Sequence, residues 1–176
     1  MSNPDMFKYE WIWEKATGSN FATVKYMPMK EHENILVFGK EKLKYNPQLQ
    51  QRKGSGLKRI LLPYKTNSTS KGEVYGNIDK NNSEKEYKEL RCPSTVQYFN
   101  NREDSRGLHP TQKPVALGQY LIRTYTNEGD LMLDNTCGSG SFLVAAKQLH
   151  RNFIGIEISS EYCKIANQRL AQKALF

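Results

Sequence analysis

Long apolar runs are missing from this 176-residue sequence. No stretch approaches the roughly 18 consecutive apolar residues of a membrane-spanning helix, so none is expected. The first residues, Met-Ser-Asn-Pro-Asp5, lack the basic stretch followed by an apolar one that marks a secretory leader. Cysteine is scarce. Cys92, Cys137 and Cys163 are odd in number and lack metal-ligand spacing, which reads as reduced thiols in a cytoplasmic protein. Apolar residues make up 38% of the chain, against about 45–50% in globular domains. A core can form, but much of the chain must be surface or loop. No internal repeat is visible.

Positive charge is plentiful. The formal net charge is +8 and the isoelectric point about 9.3, a balance that favours a polyanionic partner, nucleic acid first. The charge is concentrated. Between Glu41 and Arg91 there are twelve Lys/Arg against six Asp/Glu, a net of +6. Tyr45, Tyr64, Tyr75 and Tyr87 are interleaved with them. Basic side chains neutralise phosphates, and tyrosines stack on bases or bond to the backbone. A solvated surface insertion has the same composition.

Three regions follow: 1–40, 41–107 and 108–176. In the first, Tyr9-Glu-Trp-Ile-Trp13 and Asn34-Ile-Leu-Val-Phe38 read as two strands, separated by Gly18-Ser-Asn20 and Pro28, and suit an antiparallel pair. The third is the most regular. Pro114 suits the first position of a helix, where its missing N–H is not needed, and Leu117, Leu121 and Tyr125 then share a face. After the turn Asn127-Glu-Gly-Asp130, Leu131-Met-Leu133 reads as a buried strand. Gly138-Ser-Gly140 is a tight loop, and Phe142, Ala145, Ala146 and Leu149 fall at helical spacing. Phe153 to Ile158 reads as a strand, and Glu161 to Gln172 as a helix turning Tyr162, Ile165, Ala166 and Leu170 inward. Strand, glycine loop, helix, strand and helix make a βαβ unit with a parallel sheet.

Gly138-x-Gly140 between a strand and a helix lets the backbone approach a ligand closely. A dinucleotide fingerprint needs a third glycine, and position 143 is Leu. No Gly-Lys-Ser/Thr follows, which excludes a phosphate-cradling loop. Asp134, at the predicted end of the first strand, repels a pyrophosphate and welcomes an ammonium. Glu157, ending the second, stands where an acid commonly holds ribose hydroxyls. An adenosyl group joined to a cationic amino acid satisfies both, and S-adenosylmethionine fits that description. The alternative is a structural turn flanked by two solvated acids.

His109-Pro-Thr-Gln-Lys-Pro-Val-Ala-Leu117, followed by Asp134-Asn-Thr-Cys-Gly-Ser-Gly140 and Gly155-Ile-Glu157, resembles the β group of S-adenosylmethionine-dependent DNA amino-methyltransferases. Trp13-Glu-Lys15, Asn20-Phe21 and His32-Glu-Asn-Ile-Leu-Val-Phe38 resemble the last two strands of that family's catalytic half. The resemblance implies an α/β chain with a partial Rossmann-like methyltransferase fold. In it, 1–40 ends the catalytic subdomain, 41–107 is an inserted basic target-recognition region, and 108–176 is the cofactor-binding subdomain. It assigns Thr111, Gln112 and Lys113, with the loop residues Asp134, Asn135, Gly138, Ser139 and Gly140, to the cofactor's methionine end, and Glu157 to the ribose. The commonest family loop has Pro and Phe where this chain has Asn135 and Thr136. The implied activity is methyl transfer to a base amino group in double-stranded DNA, adenine N6 by default, in a restriction-modification or phage setting. The alternative is a remnant that holds cofactor or DNA without chemistry.

The family's catalytic string is Asp, Asn or Ser followed by Pro-Pro and an aromatic. These 176 residues do not contain it. Cys92-Pro93 reverses the Pro-Cys order of C5-cytosine enzymes, so that chemistry is excluded. Only about four strand candidates are visible, against seven in the family's sheet. The expectation is therefore a truncated or split enzyme that associates with itself or with a complementary N-terminal half.

Overall fold

The computed structural model describes residues 4–53, 90–102 and 108–172. The basic-segment tyrosines Tyr64, Tyr75 and Tyr87 lie outside the described residues. The chain divides into two compact units, one of 1–46 with 94–176 and the other of 47–93.

In the first unit a single 3-10 turn, Pro4–Met6, leads into β1 (Phe7–Ser19), which pairs antiparallel with β2 (Lys30–Phe38) in a register that sets Trp11 opposite Ile35. Alternation puts Trp11, Trp13 and Lys15 on the inner face of β1. The hairpin is closed by Asn20. Its backbone is left-handed, at φ 61°, and its side-chain oxygen accepts the Lys30 N–H at 2.9 Å. Asparagine tolerates this conformation because its short polar side chain can bond locally.

The other edge of β1 carries a strand that the apolar pattern did not predict. β5 (Val96–Phe99) runs parallel to β1, with Ile12 beside Val96. Its central Gln97 is polar yet buried, its side chain donating to the Ser94 carbonyl at 2.6 Å. Trp13 Nε1 donates to the Phe99 carbonyl at 2.9 Å.

Helix α1 (Val115–Tyr125) packs on this sheet, with the Tyr120 ring edge-on to Trp11 at 5.7 Å. Pro114 stands one position earlier than the first helical turn. It is the N-cap, and its ψ of 140° is extended. At the other end, Asn46 Nδ2 donates to the carbonyls of Arg123 and Thr126, each at 3.1 Å, and the Asn46 N–H donates to the Thr124 carbonyl at 2.8 Å. These bonds satisfy carbonyls that a helix C-terminus leaves unpaired.

The βαβ unit follows: β6 (Leu131–Asp134), α2 (Ser141–Gln148), β7 (Asn152–Gly155) parallel to β6, then α3 (Ser160–Ala171). Ile122 of α1 with Ala145, Ala146 and Leu149 forms the core, and Met132 and Phe153 pack against it from the sheet.

The reading of Leu131-Met-Leu133 as a buried strand is corrected. The strand exists, but Leu131 and Leu133 are 64% and 61% exposed. Period-2 alternation sends them, with Ile154 and Ile156, to the face opposite the helices, and among the described residues nothing packs there. Parallel sheets are ordinarily covered on both faces. Among the described residues, the β2-β1-β5 and β6-β7 sheets share no hydrogen-bonded strands.

In the second unit, β3 (Gln50–Gln51) pairs antiparallel with β4 (Leu90–Arg91), and Arg52 Nε donates to the Leu90 carbonyl at 2.9 Å. This contact-defined unit, 47–93, lies within the 41–107 region set apart by composition. No helix of the described residues is long and apolar enough to cross a membrane.

Candidate cofactor-binding site

Asp134 ends β6, and the chain then turns through the glycine loop into α2. Pairing persists past the strands: Ile156 N–H donates to the Asp134 carbonyl and Cys137 N–H to the Ile156 carbonyl, both at 2.9 Å. Gly138 and Gly140 have φ of 52° and 76°, the region that favours glycine. Space is also short there. A β-carbon on Gly138 would meet the His109 ring at 3.3 Å, and one on Gly140 would meet Ala166 at 2.9 Å. His109 lies over the loop, its ring edge-on to Tyr162 at 4.4 Å. His109 Nδ1 accepts the Thr111 N–H at 3.2 Å, which shapes the turn before α1.

A cavity of about 440 Å³ opens beside this loop, within the range of about 300–1,000 Å³ usual for small-molecule sites. Thr111, Gln112, Lys113, Asp134, Gly138 and Ser139 line it together, with Trp13, Glu33 and Leu117 on other walls. Six of the nine sequence-predicted positions therefore meet at one cavity. Asn135 is exposed and Gly140 is buried under Ala166; neither lines it.

Glu157 also lies outside that lining, two residues past β7. Its Oε2 accepts the Gly138 N–H at 2.8 Å and its Oε1 the Ser159 N–H at 2.9 Å. The Ser159 N–H and then the Gly138 N–H hold its carboxyl below the usual range, against the opposing pull of burial. A carboxylate has about four acceptor positions, so these two bonds leave capacity for ribose hydroxyls. Burial, then the nearby Asp134 and Glu157 charges, push the Cys137 thiol up.

Two groups around the cavity had escaped the sequence reading. Lys113 Nζ forms an ion pair with Glu33 Oε2 at 2.8 Å and lies 5.4 Å from the centre of the Trp13 ring. Lys15, its side chain 4% exposed, reaches Glu33 Oε1 at 3.6 Å. Burial pushes the Glu33 carboxyl up, but the two ammonium groups outweigh it and the net direction is down. Arg169, from α3, donates to Ser139 and Ser141 behind the loop. Its only signal in the sequence is position: it follows Ala166 by three residues and so shares that residue's inward face.

The family model described as DNA methylase matches residues 3–168. The chain belongs to the DNA methylase family. The Type II methyltransferase M.HpaI of Haemophilus parainfluenzae is 33% identical over 168 residues, covering 94% of this chain and 46% of the relative. The Type II methyltransferase M2.DpnII of Streptococcus pneumoniae is 41% identical over 100 residues, 57% of this chain and 37% of the relative. This DNA methylase chain thus spans less than half the length of these curated relatives. Among solved structures, the M1.HpyAVI-SAM complex superposes with a TM-score of 0.58 at 27% identity, covering 94% of this chain and 63% of that one. The cytosine-N4-specific PvuII DNA methyltransferase reaches a TM-score of 0.64 at 17% identity, covering 97% and 54%, a likeness of fold alone. The fold is α/β and Rossmann-like, with parallel strands joined through a helix.

Proposed function

We propose that this DNA methylase chain binds S-adenosylmethionine at the cavity beside Asp134, and that the enzyme it represents methylates an amino nitrogen of a base in double-stranded DNA, adenine N6 by default. One observation carries the reading: the cavity gathers the Thr111–Lys113 segment and Asp134 around the glycine loop, with the Glu157 carboxylate bonded to the loop's Gly138 N–H. The residues fit the group. The Asp134 carboxylate suits the amino acid ammonium, Glu157 suits ribose hydroxyls, and the donors of Thr111, Gln112 and Lys113 suit a carboxylate. When bound, the cofactor supplies an electrophilic methyl group. The chain's own residues bind and orient its two ends.

The basic insertion is the target-recognition region in this reading, which its +6 between Glu41 and Arg91 supports. Its DNA affinity falls steeply with salt; a flat response would remove the phosphate-contact argument. Calorimetric titration with S-adenosylmethionine tests the site, and Asp134→Ala is expected to weaken binding. Equal affinities for wild type and variant would count against Asp134.

A second reading is a cofactor- or DNA-binding module without chemistry, favoured because the Pro-Pro-aromatic string is not among these residues. Transfer of labelled methyl groups to DNA by the 176-residue chain alone rejects it. The aliphatic face of β6–β7, uncovered among the described residues, supports association with a complementary N-terminal half or a second copy, which sedimentation reads as mass above the monomer.

A further inference from the structure

We propose that Arg169 is a positioning residue for this site: it holds Ser139, and through Ser139 the Gln112 amide, in the arrangement that receives the methionine end of S-adenosylmethionine. The inference rests on the cofactor reading above. Arg169 lies on α3, 30 residues beyond Ser139, and its guanidinium meets the turn where the loop becomes α2. Nη1 lies 2.8 Å from the Ser139 carbonyl oxygen, 3.2 Å from Ser139 Oγ and 3.0 Å from Ser141 Oγ. All three acceptors belong to the turn where the loop becomes α2. Both serines are buried, at 3% and 6% exposure, so their hydroxyls need protein partners.

The chemistry of the donor sets a direction. A guanidinium only donates, so the Ser139 hydroxyl accepts from Arg169 and gives its own proton to Gln112 Oε1 at 3.1 Å. Bonding runs from Arg169 through Ser139 to Gln112. It turns the Gln112 amide oxygen toward Ser139 and its NH2 the other way. Gln112 lines the cavity, where a donor suits the carboxylate of an amino acid and an acceptor repels it. Lysine keeps the charge and the donors on one nitrogen but has a shorter reach and a different geometry, so it restores the arrangement only in part.

A merely structural role, holding α3 to the loop, would affect every ligand of the site alike. The test is therefore differential. The full chain, as wild type, Arg169→Met, Arg169→Lys and Ser139→Ala, is titrated with S-adenosylmethionine and with 5′-methylthioadenosine, which has the adenosyl part but no amino acid end. Arg169→Met is expected to weaken S-adenosylmethionine by about tenfold, the loss of one charge-assisted hydrogen bond, and to leave 5′-methylthioadenosine unchanged, with partial recovery in Arg169→Lys. Unchanged S-adenosylmethionine affinity, or equal losses for both ligands, overturns the proposal. If Arg169→Met loses its thermal transition, Ser139→Ala carries the same comparison with the same outcomes. A wild type that binds no S-adenosylmethionine removes the cofactor reading, and this inference with it. A binding wild type with an indifferent Arg169→Met removes the inference alone.

Discussion

Lys113 Nζ sits 2.8 Å from Glu33 Oε2, which ties the segment before α1 to the middle of β2. The same carboxylate faces Lys15, whose side chain is 4% exposed. Removing the Glu33 charge leaves a buried ammonium that still donates to Ser19 Oγ at 3.1 Å but faces no carboxylate there. Glu33→Gln is expected to cost about 1–3 kcal/mol, the range for a buried polar group deprived of its partner. Adding Lys15→Met should recover part of the loss. Urea denaturation reads both, and a Glu33→Gln midpoint equal to wild type would show that the pair contributes nothing.

The same cluster has an acid dependence. Although burial raises the Glu33 carboxyl, Lys113 and Lys15 bring it below its ordinary value of 4.5. A lowered folded-state value means the contribution is full above 4.5 and is lost as pH falls through the folded value. The stability gap between wild type and Glu33→Gln should therefore narrow from pH 6 towards pH 3. A gap that stays constant or widens contradicts the assignment.

Cys137 reports on the cavity. It is half-buried, and burial and then the charges of Asp134 and Glu157 raise its thiol, so less thiolate is present at pH 8. Iodoacetamide should modify it several-fold more slowly than the exposed Cys92, since the thiolate is the reacting form. Asp134→Ala should speed Cys137 and leave Cys92 alone. Peptide mass spectrometry follows each site, and equal rates at the two cysteines would refute the shielding.

Gly140 and Gly129 form a matched pair. Both have positive φ, 76° and 80°, but a β-carbon meets Ala166 at 2.9 Å in the first and nothing within 4 Å in the second. Gly129→Ala should show backbone strain alone, about 1–2 kcal/mol. Gly140→Ala adds overpacking of about 1–3 kcal/mol. Equal losses would mean that α3 yields without resistance.

What could be read in advance follows from where each signal resides. Leu117, Ala145, Ala146 and Ala166 carry a helical period and are buried as that period implies. The glycine loop was legible because positive φ leaves a mark in residue type. β5 was not, because Gln97 is polar yet buried, its side chain bonded to the Ser94 carbonyl, and hydropathy does not register that. The bonds of Lys44 to Asp130 and of Asn46 to the end of α1 were not, because both side chains look like ordinary surface residues. Arg169 was not, because a cation on an inward helical face has meaning only once Ser139 is behind it. The exposure of Leu131 and Leu133 was not, because an aliphatic residue in a strand looks the same whether its face is covered or open.

The Glu157 carboxylate grips two amides nineteen and two residues away in the chain, Gly138 on one oxygen and Ser159 on the other. It is a rivet between the loop after one strand and the loop after the next. Neither loop can open without loosening the other, so hydrogen exchange at Gly138 and Ser159 should proceed in step. A hydroxyl arriving at that carboxylate would then slow both amides together, although it touches neither loop's backbone.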